Sequence, residues 1–147
     1  MKIKQLCVFL ENKKGHLAHI AELISEADVA ILALSLADTA EFGILRLIVD
    51  KPEAAEAKLR EHHVVCRANE VTAVEMGDEH DRLTAVLNLL DKQGVNIEYM
   101  YALSERNPGG AAAFIFRFDN PEEAVECLRT GGINVLGHLD LGLEQST

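Results

Sequence analysis

Apolar residues recur along this chain in two kinds of spacing, and the two kinds follow one another in the same order twice. Alternating or short continuous apolar runs predict strands, and apolar positions three and four residues apart predict amphipathic helices. The first half has predicted strands at residues 2–10, 29–36, 43–49 and 64–68, and predicted helices at 15–27 and 52–62. The second half has predicted strands at residues 71–76, 96–103, 111–118 and within 134–143, and predicted helices at 83–94 and 122–129. Each half therefore has the order β-α-β-β-α-β, which is typical of ferredoxin-like folds.

The two halves match residue by residue as well as element by element. An offset of 66 positions aligns Leu17 with Leu83, and an offset of 69 aligns Pro52 with Pro121. The three additional residues of the second half fall in its hairpin loop, where an insertion disturbs the fold least. Both prolines belong to an Asp-X-Pro sequence, which chance matching of apolar residues does not readily explain. The pattern indicates an internal duplication.

The duplication predicts an α+β protein of two ferredoxin-like domains packed side by side, at residues 1–69 and 70–147. A domain of ~70 residues has only a small core, and the second strand of such a unit lies at a sheet edge with unpaired backbone groups. Pairing strand 29–36 with strand 95–103 would join the antiparallel sheets into about eight strands with the helices on one face. The alternative is that the two domains pack through their helices.

Charge and cysteine usage narrow the class of protein. The 147 residues include 24 acidic and 14 basic side chains, for a net charge of −10. A nucleic-acid or anionic membrane surface calls for a basic face, so we expect neither partner. No apolar run approaches the roughly 20 residues of a membrane span. The three cysteines are scattered without a CxxC spacing, which indicates reduced thiols and a cytoplasmic protein.

A polar loop at residues 11–17 joins the first strand to the first helix. A helix N-terminus presents backbone N–H groups without intrahelical acceptors, and these suit a carboxylate or another anion. Gly15 permits backbone conformations that a side chain forbids and allows a ligand to approach closely. The alternative interpretation is a strand-to-helix turn without a ligand.

The sequence resembles the tandem ACT-domain proteins. The resemblance rests on the loop at residues 11–17, the helix at 20–24 and the run Gly94-Val95-Asn96-Ile97, and it extends from about residue 3 to 143. It implies that an amino-acid effector binds where two domains meet, with the loop after the first strand of one domain facing the second strand of its neighbour. Lys14 departs from the family pattern, which usually has proline there.

The resemblance predicts one competent ligand site per chain, in which the first loop faces the second strand of the other repeat. The Asn96 amide would accept a hydrogen bond from an ammonium group or donate one to a carboxylate. The alternative is that Asn96 bonds its own backbone at the start of the strand. The predicted site consists of Asn12, Lys14, Gly15, His16, Leu17, Asn96 and Ile97.

A second ligand site would combine the loop at residues 78–83 with the second strand of the first repeat. We expect this site to be degenerate, that is, unable to bind the ligand. Its loop lacks the glycine and is acidic, so it would repel a ligand carboxylate, although Arg82 offsets part of this charge. The residues of this second site are Asp78, Asp81, Arg82, Leu83, Ala30 and Ile31.

We find no arrangement of residues that indicates catalysis. The sequence has no nucleophile–histidine–acid set, phosphate loop or dinucleotide fingerprint. His16 and His19 have a spacing that suits two metal ligands, but no third ligand is evident. We therefore expect no catalytic residues, no cofactor, no metal and no enzymatic activity.

The predicted function is that of an amino-acid-binding regulatory protein. One alternative is a regulatory subunit of an amino-acid biosynthetic enzyme, similar to the small subunit of acetolactate synthase. A less favoured alternative is a small ferredoxin-like enzyme, because this fold also hosts catalysts. A homodimer is expected because the sheets leave edges and helix faces to cover.

Overall fold

The computed structural model describes residues 2–11, 13–38, 42–77, 80–103 and 112–144. Its strands are β1 (Ile3–Glu11), β2 (Ile31–Asp38), β3 (Phe42–Val49), β4 (Cys66–Glu75), β5 (Ile97–Leu103), β6 (Ala113–Phe118) and β7 (Val135–Leu136). Its helices are α1 (His16–Glu26), α2 (Pro52–Glu61), α3 (Arg82–Lys92), α4 (Pro121–Thr130) and α5 (His138–Leu141). The α+β fold class, with its two ferredoxin-like modules, is confirmed.

The chain divides into two compact units at a point inside β4. The first unit contains Lys4–Asn69 together with the segment that starts at Leu143, and the second contains Glu70–Gly142 together with the residues up to Ile3. The tail is held in the first unit because the backbone N–H of Glu144 donates to the Asp50 carbonyl at 2.8 Å. Each unit thus includes a short piece from the opposite end of the chain, which the repeat pattern does not predict.

The strands predicted at residues 64–68 and 71–76 are in fact one strand, β4. The sequence from Cys66 to Glu75 contains no glycine or proline that would interrupt extended backbone. Seven strands, instead of about eight, are therefore found in the ranges that the structure describes.

In the first unit β3 lies between β1 and β2, and both pairings are antiparallel. Alternate residues of β1 and β3 face helices α1 and α2, as the period of two predicts. The buried cluster on this face consists of Leu6, Val8, Leu10, Ile20, Leu23, Ile24, Val29, Leu45, Leu47, Val49, Ala55, Leu59 and Cys66. The apolar stripe of α1, spaced three and four residues apart, supplies its helical share of this core.

In the second unit β6 lies between β4 and β5, and β7 also pairs with β4. Phe114, Phe116 and Phe118 alternate along β6 and pack with α3 and α4 in one buried cluster. The strand predicted within residues 134–143 is only two residues long. It ends because the Gly137 N–H donates to the Asp140 carboxylate at 2.7 Å and so begins α5.

The predicted pairing of strand 29–36 with strand 95–103 is wrong. Among the described residues, β2 pairs with β3 alone and β5 pairs with β6 alone. Leu34 and Leu36 of β2 have exposed fractions of 58% and 48%. The outer edge of β2 therefore carries apolar side chains and has no charged residue between Ile31 and Ala37.

The ends of the helices show the duplication in three dimensions. Asp28 after α1 and its counterpart Gly94 after α3 both have left-handed backbone, with φ of 58° and 72°. His63 after α2 and its counterpart Gly132 after α4 have φ of 59° and 76°. The second repeat thus uses glycine at two positions where the first repeat has a side chain, although such a conformation is costly for most residues.

Candidate functional site

The loop at residues 11–17 borders a cleft of about 630 Å³ within the first unit, which we call the Gly15 cleft. The cleft is built from the end of β1, the loop, the first turn of α1, the start of β3 and the connection from α2 to β4. Its lining is Phe9, Leu10, Glu11, Lys13, Lys14, Gly15, His16, His19, Phe42, His63 and Val65.

The loop directs backbone N–H groups outward from the start of α1. Gly15 is the N-cap residue with φ of 84°, and no side chain caps the helix. Its carbonyl accepts from the His19 N–H at 3.0 Å. Within the described ranges, no acceptor takes the N–H groups of Leu17 and Ala18. These two groups are therefore available to an anion, and the helix dipole favours one there.

Basic side chains surround this helix start. Lys13 Nζ lies 3.4 Å from the Glu11 carboxylate, so the acid of the cleft is already paired. No carboxylate of the described residues lies within ion-pair distance of Lys14. His16 Nδ1 accepts from the Glu11 backbone N–H at 3.1 Å, which leaves the ring proton of neutral His16 on Nε2. A chain with a net charge of −10 thus forms a locally basic cleft.

The other part of the cleft is apolar. Phe42 lies opposite Glu11 in the β1–β3 register, and the Phe9 N–H donates to the Val65 carbonyl at 3.0 Å. Phe42 and Val65 keep 49% and 63% of their surface exposed. Exposed apolar groups beside convergent polar groups are typical of a small-molecule site.

The structure brings together only part of the first predicted site. Lys14, Gly15 and His16 line the Gly15 cleft. Leu17 follows them and is 44% exposed, whereas Asn12 lies outside the described residues.

Asn96 and Ile97 belong to the second unit. The Asn96 side chain donates to the Asp119 carboxylate at 2.7 Å, a partner that neither sequence interpretation proposed. Ile97 packs on the buried cluster of its own unit. A site shared by these two residues and the first loop stays a prediction.

The residues of the second predicted site belong to both units. Asp78 lies outside the described residues. Asp81 is the N-cap residue of α3, the Arg82 guanidinium lies against Gly77, and Leu83 packs on the second core. Ala30 and Ile31 line a different cleft of about 400 Å³ at the C-terminal end of α1, in the first unit. The degeneracy of this second site stays a prediction.

Sequence reasoning missed the cleft residues that come from distant parts of the chain. Phe9 and Val65 were read only as strand residues, and Phe42, just before the strand predicted at 43–49, was assigned no role. His63 was read only as the end of the second helix. A comparison of the repeats contains the missing signal, because several lining residues differ from their counterparts. These pairs are His19 and Ala85, Phe42 and Ala111, His63 and Gly132, and Val65 and Asn134.

The described residues contain no group of three or more His, Cys, Asp or Glu side chains arranged to hold a metal ion. None of their helices combines the length and apolar character that crossing a membrane requires.

A family model described as an ACT domain pair matches residues 1–142. The chain belongs to the ACT domain pair family. The resemblance predicted from the loop and the repeat is therefore confirmed. No curated protein sequence matches the chain.

Solved structures agree with this family assignment. Protein BT0572 from Bacteroides thetaiotaomicron is 33% identical, with a TM-score of 0.86 over 97% of this chain and 96% of that one. The regulatory subunit of aspartate kinase from Thermus thermophilus is 17% identical, with a TM-score of 0.53 over 88% and 90%. The same subunit from Thermus flavus is 12% identical, with a TM-score of 0.51 over 88% and 92%. The two kinase subunits share the fold of this ACT domain pair.

Proposed function

We propose that this ACT domain pair is a regulatory protein that binds an amino acid in the Gly15 cleft. The observation that carries the proposal is the convergence of backbone N–H groups, basic side chains and exposed apolar side chains in one cleft of the first unit. An amino acid needs this combination, because a charged carboxylate and a partly apolar body must be held side by side.

The ligand carboxylate would bind the N–H groups of Leu17 and Ala18, with Lys14 as its counter-charge. The side chain of the ligand would pack on Phe42 and Val65. Glu11 is paired with Lys13 at 3.4 Å, and as the one carboxylate among the lining residues it would also face the ligand ammonium group.

Asn96 and Ile97 remain proposed contributors to the same ligand. One N–H of the Asn96 amide is engaged by Asp119 at 2.7 Å, so Asn96 would offer its carbonyl oxygen and its second N–H.

Regulation would require that ligand binding is passed to another protein. The kinase-associated subunits named above support an enzyme as the partner, and we propose a metabolic enzyme for this chain. The exposed edge of β2, which has no charged residue between Ile31 and Ala37, supports a homodimer, because such an edge can pair with a second copy. We propose that the chain itself makes no covalent chemistry.

A panel of the standard amino acids, tested by thermal unfolding at millimolar concentration, examines this function. At least one amino acid should raise the melting temperature, and at 100 times Kd the stabilisation is about 2.7 kcal/mol. Lys14→Glu should abolish the shift, because it reverses the counter-charge. Lys92→Glu, an equivalent charge reversal in the second unit, should leave it intact. Absence of any shift with the whole panel would reject the proposed function.

A further inference from the structure

We propose that the Gly15 cleft selects ligands that carry two negative groups, namely a carboxylate and a second acidic group, which is either a carboxylate or a phosphate monoester. This inference rests on the proposed function and specifies the class of ligand. The first group would occupy the N–H groups at the start of α1. The second would face His19 and His63, the basic residues of the cleft that lie outside the loop.

The basic side chains that line the cleft support a second negative group. The cleft contains two lysines, three histidines and one acid, and that acid is paired with Lys13 at 3.4 Å. One ligand carboxylate at the helix start is matched by Lys14 and the backbone N–H groups. His19 and His63 then remain as two exposed imidazoles that line the cleft, and no described carboxylate lies within ion-pair distance of either ring. An anionic group on the ligand would accept hydrogen bonds from these rings.

The internal repeat serves as a control for residues that the fold alone requires. At the two matching positions the second repeat has Ala85 and Gly132, neither of which carries a charge. Helix α3 and the turn after α4 form without these histidines. His19 and His63 are thus not needed to build the module, and both face the cleft of the repeat that has them.

The backbone of His63 provides an independent argument. Its φ of 59° lies in the left-handed region, where Gly132 of the second repeat has no side chain to hinder it. Its backbone N–H donates to the Arg60 carbonyl at 3.0 Å, as the Gly132 N–H donates to Arg129 at 3.0 Å, so glycine would serve this turn equally well. The turn therefore does not account for the imidazole at this position, which lines the cleft.

Calorimetric titrations of the full chain with matched pairs of ligands test the inference. The pairs are glutamate with glutamine and O-phosphoserine with serine, and inorganic phosphate is titrated alone. The member of at least one pair that carries the second acidic group should bind roughly tenfold more tightly, which corresponds to one charge-assisted hydrogen bond. The pair that shows the preference identifies the second group as a carboxylate or a phosphate.

Substitutions that introduce the matching residue of the second repeat test which side chains bind the second acidic group of the ligand. His63→Gly should reduce the preference within that pair roughly tenfold while it raises the melting temperature. His19→Ala should reduce the preference as well, and it retains a residue that favours helix. Asp28→Gly, which relieves the same backbone conformation outside the Gly15 cleft, should raise the melting temperature and leave the preference unchanged.

The outcomes separate the two proposals. Equal binding within both pairs would overturn the inference while the proposed function stands. Phosphate alone binding as tightly as O-phosphoserine would also overturn it, because the carboxylate would then contribute nothing. A preference that survives in both His63→Gly and His19→Ala would contradict the assigned residues. No binding of any amino acid would reject the proposed function itself.

Discussion

The Asn96 side chain donates a hydrogen bond of 2.7 Å to the Asp119 carboxylate, whereas Asp50, the counterpart of Asp119 in the first repeat, accepts from the Ala30 backbone N–H at 2.8 Å. In both repeats a backbone hydrogen bond also joins the same two positions. The acid before the second helix therefore holds the start of the second strand in each repeat. Asparagine strengthens an attachment that the fold already has.

Asn96→Ala should lower the free energy of unfolding by ~1 kcal/mol, because an exposed hydrogen bond to a carboxylate is lost. Urea unfolding measures this change. Ala30→Asn, which gives the first repeat the side chain of the second, should not destabilise the protein. If Asn96→Ala also removes the amino-acid shift, Asn96 belongs to the ligand site, and an unchanged shift would remove it from the site.

Asp28→Gly should raise the free energy of unfolding by ~1 kcal/mol, because a left-handed backbone is unfavourable for a residue with a side chain. Thermal and urea unfolding provide the measurement. Ala27→Gly is the matched control and should not raise the free energy of unfolding. The φ of −81° at Ala27 is already accessible to alanine, and glycine only increases the conformational entropy of the unfolded chain. A destabilised Asp28→Gly variant would contradict the prediction and give the aspartate side chain a structural role.

Gly15→Ala should lower the free energy of unfolding by ~1–2 kcal/mol through its backbone alone. An added Cβ would meet no atom within 4 Å, but φ is 84°. Gly131→Ala is the opposite case, because its φ of −81° is accessible to alanine but its Cβ would meet the Leu89 side chain. Urea titration of both variants, with and without ligand, should show loss of binding only for Gly15→Ala.

Stability should decrease in mild acid because of His138. Burial lowers the pKa of His138 from its usual value of about 6.5, so the folded protein holds this ring neutral. Below pH 6.5 the unfolded chain binds a proton that the folded chain takes up only at lower pH. The stabilisation is therefore complete above this pH and is lost as the pH falls towards the folded pKa. His138→Gln should flatten the dependence of the urea midpoint on pH between 7.5 and 5, and an unchanged slope would contradict this origin.

Periodicity and repetition predicted the fold well for physical reasons. The stripe of Ile20, Leu23 and Ile24 faces the core, and Pro52 and Pro121 begin their helices as predicted. Strand ends were harder to predict. The repeat pattern divided β4 into two strands because it placed the boundary between the halves there, although no glycine or proline interrupts Cys66–Glu75. The pairing of β2 with β5 was proposed in error because both strands were expected to have unpaired edges that cover one another.

The candidate site was predictable only where it is local in sequence. Gly15 and its neighbours form a continuous loop, so their chemistry was evident from adjacent residues. Phe42, His63 and Val65 reach the same cleft only after the chain has passed through two further strands and a helix. No local pattern indicates such convergence, although these lining residues differ from their counterparts in the second repeat.

The uninterrupted strand β4 limits where this protein could be divided into two halves. Where the two ancestral copies were joined, no loosely held segment survives, because the boundary between Asn69 and Glu70 lies in mid-strand. A half-chain divided there would begin or end with half of strand β4. It would also lack the short terminal segment that belongs to its unit, which is the segment from Leu143 for the first unit and the residues up to Ile3 for the second. We therefore expect that neither half, separated at this point, would keep its full set of backbone hydrogen bonds.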